Sequence, residues 1–108
     1  MIKIKTITLC GSLKFQKEMM TVAETLSLEG TCILTPIYPV EKTMKTKKQL
    51  ELLRKEHFKK IDLSDAILVV NVKNYIGKST ILEIEYAKQQ NKEILYYTDL
   101  QKERNQNE

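Results

Sequence analysis

Residues 66–72 read AILVVNV, an apolar run interrupted by a single polar residue, Asn71. A near-continuous run of this length, rich in β-branched residues, is typical of a strand that is covered on both faces. Such strands belong to parallel sheets, whose two faces are packed against helices. The run therefore predicts a buried strand of a parallel α/β sheet, from Ala66 to Val72.

The chain on either side of this run alternates between strand and helix patterns. Strand patterns occur at 2–10, 31–35 and 93–97, and helical spacing of apolar residues occurs at 13–29, 45–62 and 80–90. The order β-α-β-α-β-α-β predicts right-handed crossovers and a sheet with helices on both faces. We expect an α/β protein of flavodoxin-like type, with three α/β/α layers and a small, mainly four-stranded parallel sheet.

The length of 108 residues fits one domain. We expect this domain to cover residues 1–98 and to be followed by a polar tail, 99–108. From Gln101 onward the tail reads QKERNQNE, which is polar throughout, and we expect it to be frayed.

The net charge of +4 arises from 18 basic and 14 acidic residues, and many lysines fall between residues 42 and 60. A basic cluster is one sign of a nucleic-acid surface. Here, however, glutamates at 41, 51 and 56 are interleaved with the lysines, which is more typical of a solvated helix face. We therefore expect no nucleic-acid polymer as partner, although a mild positive potential favours a phosphorylated small molecule.

The two cysteines, Cys10 and Cys32, both fall inside apolar runs, so we expect buried strand thiols rather than a disulfide or metal ligands. With a single histidine and no Cys-x-x-Cys, a structural zinc site is not expected, nor is any metal or organic cofactor. Charges interrupt the apolar residues of the first segment, MIKIKTITLCG, and no stretch approaches the roughly 20 apolar residues of a membrane span. We expect a cytoplasmic protein with free thiols and no membrane partner.

Ligands of parallel sheets bind beyond the carboxyl ends of the strands, where the strand order reverses. The segment that follows the first predicted strand, Gly11-Ser12-Leu13-Lys14-Phe15, falls at that edge. Gly11 would allow close backbone approach, Ser12 would supply a hydroxyl group and Lys14 a positive charge at a helix start. The structural alternative is that Gly11 turns the chain and Ser12 caps the helix.

A second candidate segment, Gly77-Lys78-Ser79-Thr80, resembles the end of a Walker A loop. Val72 stands where that motif has its first glycine, and the segment follows the third predicted strand rather than the first. These departures exclude an ATPase of that type. We interpret Gly77, Ser79 and Thr80 as anion or ribose contacts at a helix start.

Glu83 has two interpretations. Thr80-x-x-Glu83 fits a capping box, with Thr80 as the N-cap residue and Glu83 bonding back to the backbone. Alternatively, Glu83 lies in the first turn of a helix that points to the ligand edge, where a carboxylate can attack an anomeric carbon or stabilise an oxocarbenium ion. The residues alone favour the cap.

Three polar residues of the preceding helix and its connection are further candidates. His57 lies on an apolar helix face, where a packed and hydrogen-bonded histidine is more common than a catalytic one. Asp62 is a candidate second carboxylate of the site. Asp65 is better explained as a structural residue that ties the connection by local hydrogen bonds.

Residues 7–15 (ITLCGSLKF), 60–71 (KIDLSDAILVVN) and 75–87 (YIGKSTILEIEYA) together resemble the nucleoside 2-deoxyribosyltransferase superfamily, which includes the deoxynucleoside 5′-monophosphate N-glycosidases. The third segment is similar to the family pattern Gly-x-x-Thr-x-x-Glu-x-x-x-Ala. With the intervening elements, the resemblance covers about residues 4–98. His57 stands where many members carry an aspartate, and Lys14 where an arginine is common.

The resemblance implies that Glu83 is a nucleophile that forms a covalent glycosyl intermediate, with Asp62 or His57 assisting. It also implies a homodimer or larger assembly, and it places near a 5′-phosphate or ribose the residues Gly11, Ser12, Lys14 and Ser79. The expected function is cleavage or transfer at the N-glycosidic bond of a nucleoside or its 5′-monophosphate. The alternatives are a non-catalytic nucleotide-sensing domain that uses the same cleft, and an oligomerisation domain in which Glu83 only caps a helix.

Overall fold

The computed structural model describes residues 3–41 and 43–106. Four strands form one parallel sheet in the order β2-β1-β3-β4. Their bounds are Thr6–Cys10 for β1, Cys32–Leu34 for β2, Ala66–Val69 for β3 and Glu93–Tyr96 for β4. The two central strands, β1 and β3, pair with Ile7 opposite Ala66 and Cys10 opposite Val69.

Four α-helices cover this sheet. They are α1 (Gln16–Leu28), α2 (Lys47–Asp62), α3 (Lys78–Gln89) and α4 (Tyr97–Gln106), and short 3-10 helices occupy Leu13–Phe15 and Val72–Asn74. The predicted flavodoxin-like three-layer α/β/α fold with a four-stranded parallel sheet is thus confirmed. Within the ranges described, none of the helices combines the length and the apolar character needed to cross a membrane.

Alternate residues of the central strands face opposite layers, as the two-residue period of a strand requires. The face covered by α1 and α4 has a core of buried residues comprising Ile7, Leu9, Met19, Ala66, Leu68 and Val70. The face covered by α2 and α3 has a second core comprising Cys10, Ile61, Ile67, Val69, Ile84 and Ala87. Burial on both faces explains why the run AILVVNV lacks the polar alternation of a half-exposed strand.

The strands are shorter than their sequence patterns predict. Residues 3–5 precede β1 without belonging to it, and residue 2, where the prediction began, lies outside the described residues. The third strand ends at Val69 rather than Val72, because the chain turns into the 3-10 helix Val72–Asn74. Lys73 and Asn74 in this turn have positive φ angles of 53° and 65°, a conformation that cannot continue a strand.

The expectation that both cysteines are buried is half wrong. Cys10 lies in a central strand and is fully buried, whereas Cys32 is exposed. Strand β2 is a three-residue edge strand, so its first residue has a neighbouring strand on one side only. Both thiols are free.

The prediction of a frayed tail from Gln101 is wrong for residues 101–106, which belong to α4. This helix is polar overall, but Tyr97 and Leu100 pack against the core beneath α1. Arg104 also donates two hydrogen bonds, of 3.0 and 3.1 Å, to the carboxylate of Glu29 at the end of α1. Two apolar contacts and one ion pair, in which a single Arg104 nitrogen contacts both Glu29 oxygens, therefore hold in place a segment whose composition alone suggests disorder. Residues 107–108 lie outside the described residues.

Candidate functional site

A cavity of about 570 Å³ opens at the carboxyl edge of the sheet, beside the ends of β1 and β3. In the order β2-β1-β3-β4, the chain passes from β1 to β2 on one side of the sheet and from β3 to β4 on the other, so the strand order reverses between β1 and β3. Ligands of such sheets usually bind at this point. The loops after β1, β2 and β3 line the cavity together with one side of α2 and the first turns of α3. Several predicted site residues meet here, namely Gly11, Ser12, His57, Gly77, Ser79, Thr80 and Glu83.

Gly11 packs closely against Val70. A Cβ atom at this position would lie 3.2 Å from the carbonyl oxygen of Val70 and 3.4 Å from its Cβ atom. Ser12 caps the following 3-10 helix, because its Oγ accepts a hydrogen bond of 3.3 Å from the Lys14 N–H. Ser12 thus has the structural role foreseen as its alternative, whereas Gly11 is constrained by its contact with Val70 rather than by a turn conformation; both residues also line the cavity.

Lys14 and Phe15, which we expected to bind substrate, are not among the lining residues. Instead they support Tyr75, which does line the cavity. The Lys14 ammonium group lies 3.3 Å from the centroid of the Tyr75 ring, and the Phe15 ring meets it edge-on at 5.8 Å. A cation over an aromatic face and an edge-to-face aromatic pair are both attractive, so these two residues fix the position of Tyr75.

Helix α3 begins earlier than the sequence pattern predicts. Gly77 is its N-cap residue, with extended backbone angles, and Lys78 is the first helical residue. Thr80 is therefore the third residue of the helix and Glu83 the sixth, so the predicted capping box is wrong. A side chain in the second turn lies beyond the free N–H groups of a helix start. The Glu83 carboxylate reaches the cavity instead.

Three polar side chains meet at the floor of the cavity and are called here the Cys-His-Glu cluster: Cys10, His57 and Glu83. The Nε2 atom of His57 lies 3.6 Å from Oε2 of Glu83 and 3.5 Å from Sγ of Cys10. The side chains of His57 and Glu83 are 11% and 17% exposed, and Cys10 lies fully buried behind them. Since the residues come from α2, α3 and β1, only the folded sheet brings them together.

Burial changes the protonation of all three groups. It raises the pKa of Glu83 from 4.5 to about 7, an effect that the Cys10 thiol and Arg54 partly offset. It lowers the pKa of His57 from 6.5 to about 4, to which the nearby Lys60 charge contributes. It also raises the pKa of Cys10 well above 9.0, and the Glu83 charge adds to this effect. At neutral pH, His57 is therefore a neutral imidazole and Cys10 a thiol, so the contact between His57 and Glu83 is not an ion pair.

The cavity is positively charged. Three cationic side chains line it, Arg54, Lys60 and Lys78, and Glu83 is the single acidic residue among the described residues that do so. Lys60 also donates a hydrogen bond of 2.7 Å to the Thr35 carbonyl oxygen, which ties α2 to the loop after β2. Such a lining favours an anionic ligand.

We interpreted this part of α2 as a solvated face from its sequence and missed Arg54 and Lys60. Both lie three residues from His57, one on each side, and therefore on the same side of the helix. That spacing is the sequence signal that would have identified them.

The rest of the lining is apolar and was also missed. It consists of Leu13, Pro36, Ile37, Leu50, Leu53 and Tyr75. A wall of aliphatic and aromatic side chains opposite a few charged groups is the usual composition of a small-molecule site. Pro36 and Ile37 follow β2 directly, so the rule that ligands bind beyond the carboxyl ends of strands would have included them.

Asp62 is not part of the cavity. It is exposed at the end of α2, where its carboxylate accepts a hydrogen bond from the Tyr86 hydroxyl group. A helix that precedes a parallel strand ends at the amino edge of the sheet, opposite the ligand edge. The expectation that Asp62 supplies a second carboxylate to the site is therefore wrong. Asp65 has a structural role, but the bond is not the local one expected: its Oδ2 atom accepts a hydrogen bond of 2.9 Å from the N–H of Thr6, at the start of β1.

No protein-family model and no curated protein sequence matches this chain. The resemblance to the nucleoside 2-deoxyribosyltransferase superfamily therefore stays a prediction. What the described residues establish is chemical: a carboxyl group that titrates near neutral pH faces a cation-lined cavity with an apolar wall.

Proposed function

We propose that the protein cleaves or transfers at the N-glycosidic bond of a nucleoside or nucleoside 5′-monophosphate, with Glu83 as the nucleophile. The observation that supports this most strongly is the position of Glu83. It is the acidic residue of an otherwise cationic and apolar cavity at the ligand edge of the sheet, and its side chain is only 17% exposed. A covalent glycosyl mechanism needs one carboxylate as its nucleophile, and Glu83 is the carboxylate that this cavity offers.

The composition of the cavity suggests how a nucleotide would lie in it. In our proposal a 5′-phosphate is bound by the cationic side chains Arg54 and Lys78 and by the start of α3. The base packs against the apolar wall that includes Leu53 and Tyr75. The anomeric carbon between them then faces the Glu83 carboxylate.

The proposed reaction has two steps. The Glu83 carboxylate attacks the anomeric carbon while the bond to the base breaks, through an oxocarbenium-like transition state, and the base leaves with the bonding electrons and takes up a proton from solvent. Water or a second base then attacks the glycosyl-enzyme intermediate and loses a proton to solvent; the bond to Glu83 breaks, which restores the carboxylate and releases the free sugar or a new nucleoside. Hydrolysis and transfer differ only in this second acceptor.

His57 acts in this proposal as a positioning residue. With a pKa of about 4 it is a neutral imidazole at neutral pH, so it lacks the acidic imidazolium proton that a general acid gives to the leaving base. Its Nε2 atom instead lies 3.6 Å from the Glu83 carboxylate and restricts the position of that group. Asp62, at the other edge of the sheet, takes no part.

The test compares Glu83→Gln with Glu85→Gln, since Glu85 lies on the same helix but is exposed. Deoxynucleoside and nucleoside 5′-monophosphates and the free nucleosides are incubated with each protein, with and without a second base, and base release or exchange is followed by chromatography. We expect Glu83→Gln to lower turnover by about a thousandfold or more. Glu85→Gln is expected to retain wild-type turnover. Wild-type rates for Glu83→Gln would refute the proposed nucleophile.

A non-catalytic nucleotide-sensing domain is the second candidate. One observation favours it: Asp62 does not line the cavity but accepts a hydrogen bond from Tyr86. Among the residues described, a departing base would therefore have no acidic side chain nearby to protonate it. In that case the wild type and Glu83→Gln both bind a nucleoside monophosphate, and neither releases a base. Isothermal titration calorimetry beside the chromatographic assay separates the two functions.

Assembly and location belong to the same proposal. We propose a homodimer or larger oligomer in the cytoplasm, where nucleotides and free thiols are found together. Val40 and Met44, both at least 97% exposed, supply apolar surface for a second copy. Light scattering of the purified chain tests the assembly, and a monomer at all concentrations would refute it.

A further inference from the structure

We propose that the Cys-His-Glu cluster binds a divalent transition metal, best suited to Zn²⁺, and that the bound ion silences the glycosidase by occupying Glu83. Thiolate sulfur, imidazole nitrogen and carboxylate oxygen are the three ligand types of zinc in proteins. The cluster offers one of each. Because Cys10, His57 and Glu83 are far apart along the chain, no local sequence motif predicts such a site.

Two of the three separations within the cluster are close to those around a tetrahedral zinc ion. Zn–S and Zn–N bonds of about 2.3 and 2.0 Å place the sulfur and the nitrogen about 3.5 Å apart, and a nitrogen–oxygen pair lies about 3.3 Å apart. In the structure, Cys10 Sγ and His57 Nε2 are 3.5 Å apart, and His57 Nε2 and Glu83 Oε2 are 3.6 Å apart. All three ligand atoms lie within 4.8 Å of one another. The Cys10–Glu83 separation, up to 4.8 Å, must shorten by up to about 1.3 Å toward the tetrahedral value of about 3.5 Å, which requires rotation of the Glu83 side chain.

The cluster leaves one coordination position for an external ligand. Cys10 is buried behind the cavity, whereas His57 and Glu83 line it. An ion bound by these three residues would therefore take its fourth ligand, water or an anion, from the cavity side. Three protein ligands with one open position distinguish accessible zinc sites from closed structural ones.

The charges of the site balance on metal binding. Cys10 releases its thiol proton to solvent when it binds the ion, and Glu83 releases any proton that it holds. His57 is already neutral and offers its Nε2 lone pair directly. The thiolate and the carboxylate then cancel the two positive charges of the ion, so the occupied cluster adds no net charge beside Arg54 and Lys60.

Silencing rests on the proposed function, whereas metal binding does not. A Glu83 carboxylate that donates its electron pair to the ion cannot attack an anomeric carbon. Zinc should therefore inhibit base release, and a chelator should restore it.

Binding is tested by titrating the full chain with Co²⁺, a spectroscopic substitute for zinc. We expect thiolate-to-cobalt charge-transfer absorption that saturates at one ion per chain. Cys10→Ala should abolish this absorption, and Cys32→Ser, which removes the exposed thiol, should leave it unchanged. Glu83→Gln should weaken binding by more than about tenfold, since even outer-shell partners contribute that much to metal affinity.

Absence of the charge-transfer band in the wild type, or an equal band in Cys10→Ala, would overturn the metal site. If circular dichroism shows that Cys10→Ala is unfolded, His57→Gln decides, because it keeps the thiol in the core and should weaken binding to the same degree as Glu83→Gln. Equal affinity in His57→Gln and the wild type would refute the cluster as the site.

The activity assay with Zn²⁺ separates the two proposals. Cobalt binding in a protein that releases no base under any condition refutes the glycosidase but not the metal site. Base release without cobalt binding refutes the metal site alone. Cobalt binding with base release that is insensitive to zinc refutes the silencing, while inhibition that a chelator reverses supports it.

Discussion

The imidazole of His57 and the carboxyl group of Glu83 face each other across 3.6 Å with their ordinary protonation order reversed. The pKa of His57 falls to about 4, and that of Glu83 rises to about 7. Between these values the carboxyl group of the folded protein is protonated and the imidazole is in its neutral form, with one N–H. An unfolded chain at pH 5.5 does the opposite, since the usual pKa values are 4.5 and 6.5. At this pH, folding therefore removes a proton from His57 and adds one to Glu83.

This exchange predicts a pH dependence of stability that single variants reveal. The raised pKa of Glu83 lowers stability as pH rises from 4.5 to about 7, and the depressed pKa of His57 raises stability as pH rises from about 4 to 6.5. The two effects cancel over most of this interval. At ~1.4 kcal/mol per pKa unit, each amounts to about 3 kcal/mol.

We therefore expect the unfolding free energy of His57→Gln to fall by about 3 kcal/mol, relative to that of the wild type, as pH rises from about 4.5 to about 7. Glu83→Gln should gain a similar amount, relative to the wild type, between about pH 4 and pH 6.5. Urea denaturation with a chelator present measures both. Variants whose pH dependence is parallel to that of the wild type would contradict the reversed protonation order.

Base release should depend on the ionisation of Glu83, because only the carboxylate is a nucleophile. With a pKa of about 7, the carboxylate fraction rises about tenfold per pH unit on the acidic side and levels off above neutrality. The measurement is kcat/KM for a nucleoside 5′-monophosphate from about pH 5 to about pH 9. A rate that falls as pH rises through neutrality would indicate a general acid instead.

Arg54→Gln is expected to raise KM for a nucleoside 5′-monophosphate by about ten- to a hundredfold, the range for the loss of one charged hydrogen bond. The matching nucleoside, which lacks the phosphate, should be affected much less. Lys55→Gln is the control, because it removes a neighbouring positive charge that is exposed and outside the cavity lining. Arg54 also lowers the pKa of Glu83, so its removal changes the ionised fraction of Glu83 near neutral pH. The assay is therefore run at alkaline pH, where Glu83 is fully ionised in both proteins. Equal effects on nucleotide and nucleoside would place the phosphate elsewhere.

Gly11→Ala is expected to lower the free energy of unfolding by about 1–3 kcal/mol, because the added methyl group would press on the carbonyl oxygen of Val70 at 3.2 Å. Gly77→Ala is the comparison. Its Cβ atom would meet the Tyr75 ring at an ordinary 3.6 Å, and we expect a loss below about 1 kcal/mol, from the poorer N-cap residue. Urea denaturation measures both, and equal losses would contradict the packing role of Gly11.

The fold was predictable because periodicity reports burial. The run from Ala66 to Val70 is apolar at every position, and the structure buries each of these residues. Strand ends were less predictable, because Val72 has the composition of a strand residue but belongs to a turn with positive φ angles. The helix Tyr97–Gln106 was missed because its stability depends on Leu100 and Arg104 contacting distant residues, which composition does not show.

The site was only partly predictable. The carboxyl-edge rule depends on chain order alone, and it selected residues that line the cavity, namely Gly11, Ser12, Gly77, Ser79 and Thr80. It failed for Asp62, because we did not distinguish the two edges of the sheet at which a helix begins and ends. The contact between Cys10 and His57 needs two facts that no local pattern supplies, namely the face of β1 on which Cys10 lies and the rotation of α2 about its axis.

The Cys-His-Glu cluster joins the end of the first strand to the second and third helices, so most of the domain must be in place before the cavity exists. Any small molecule that binds there selects the native state over the unfolded one. At a free concentration about a hundred times its Kd, it should stabilise the domain by about 2.7 kcal/mol. A melting-temperature screen of nucleotides and bases can thus rank ligands for this protein before any reaction is known.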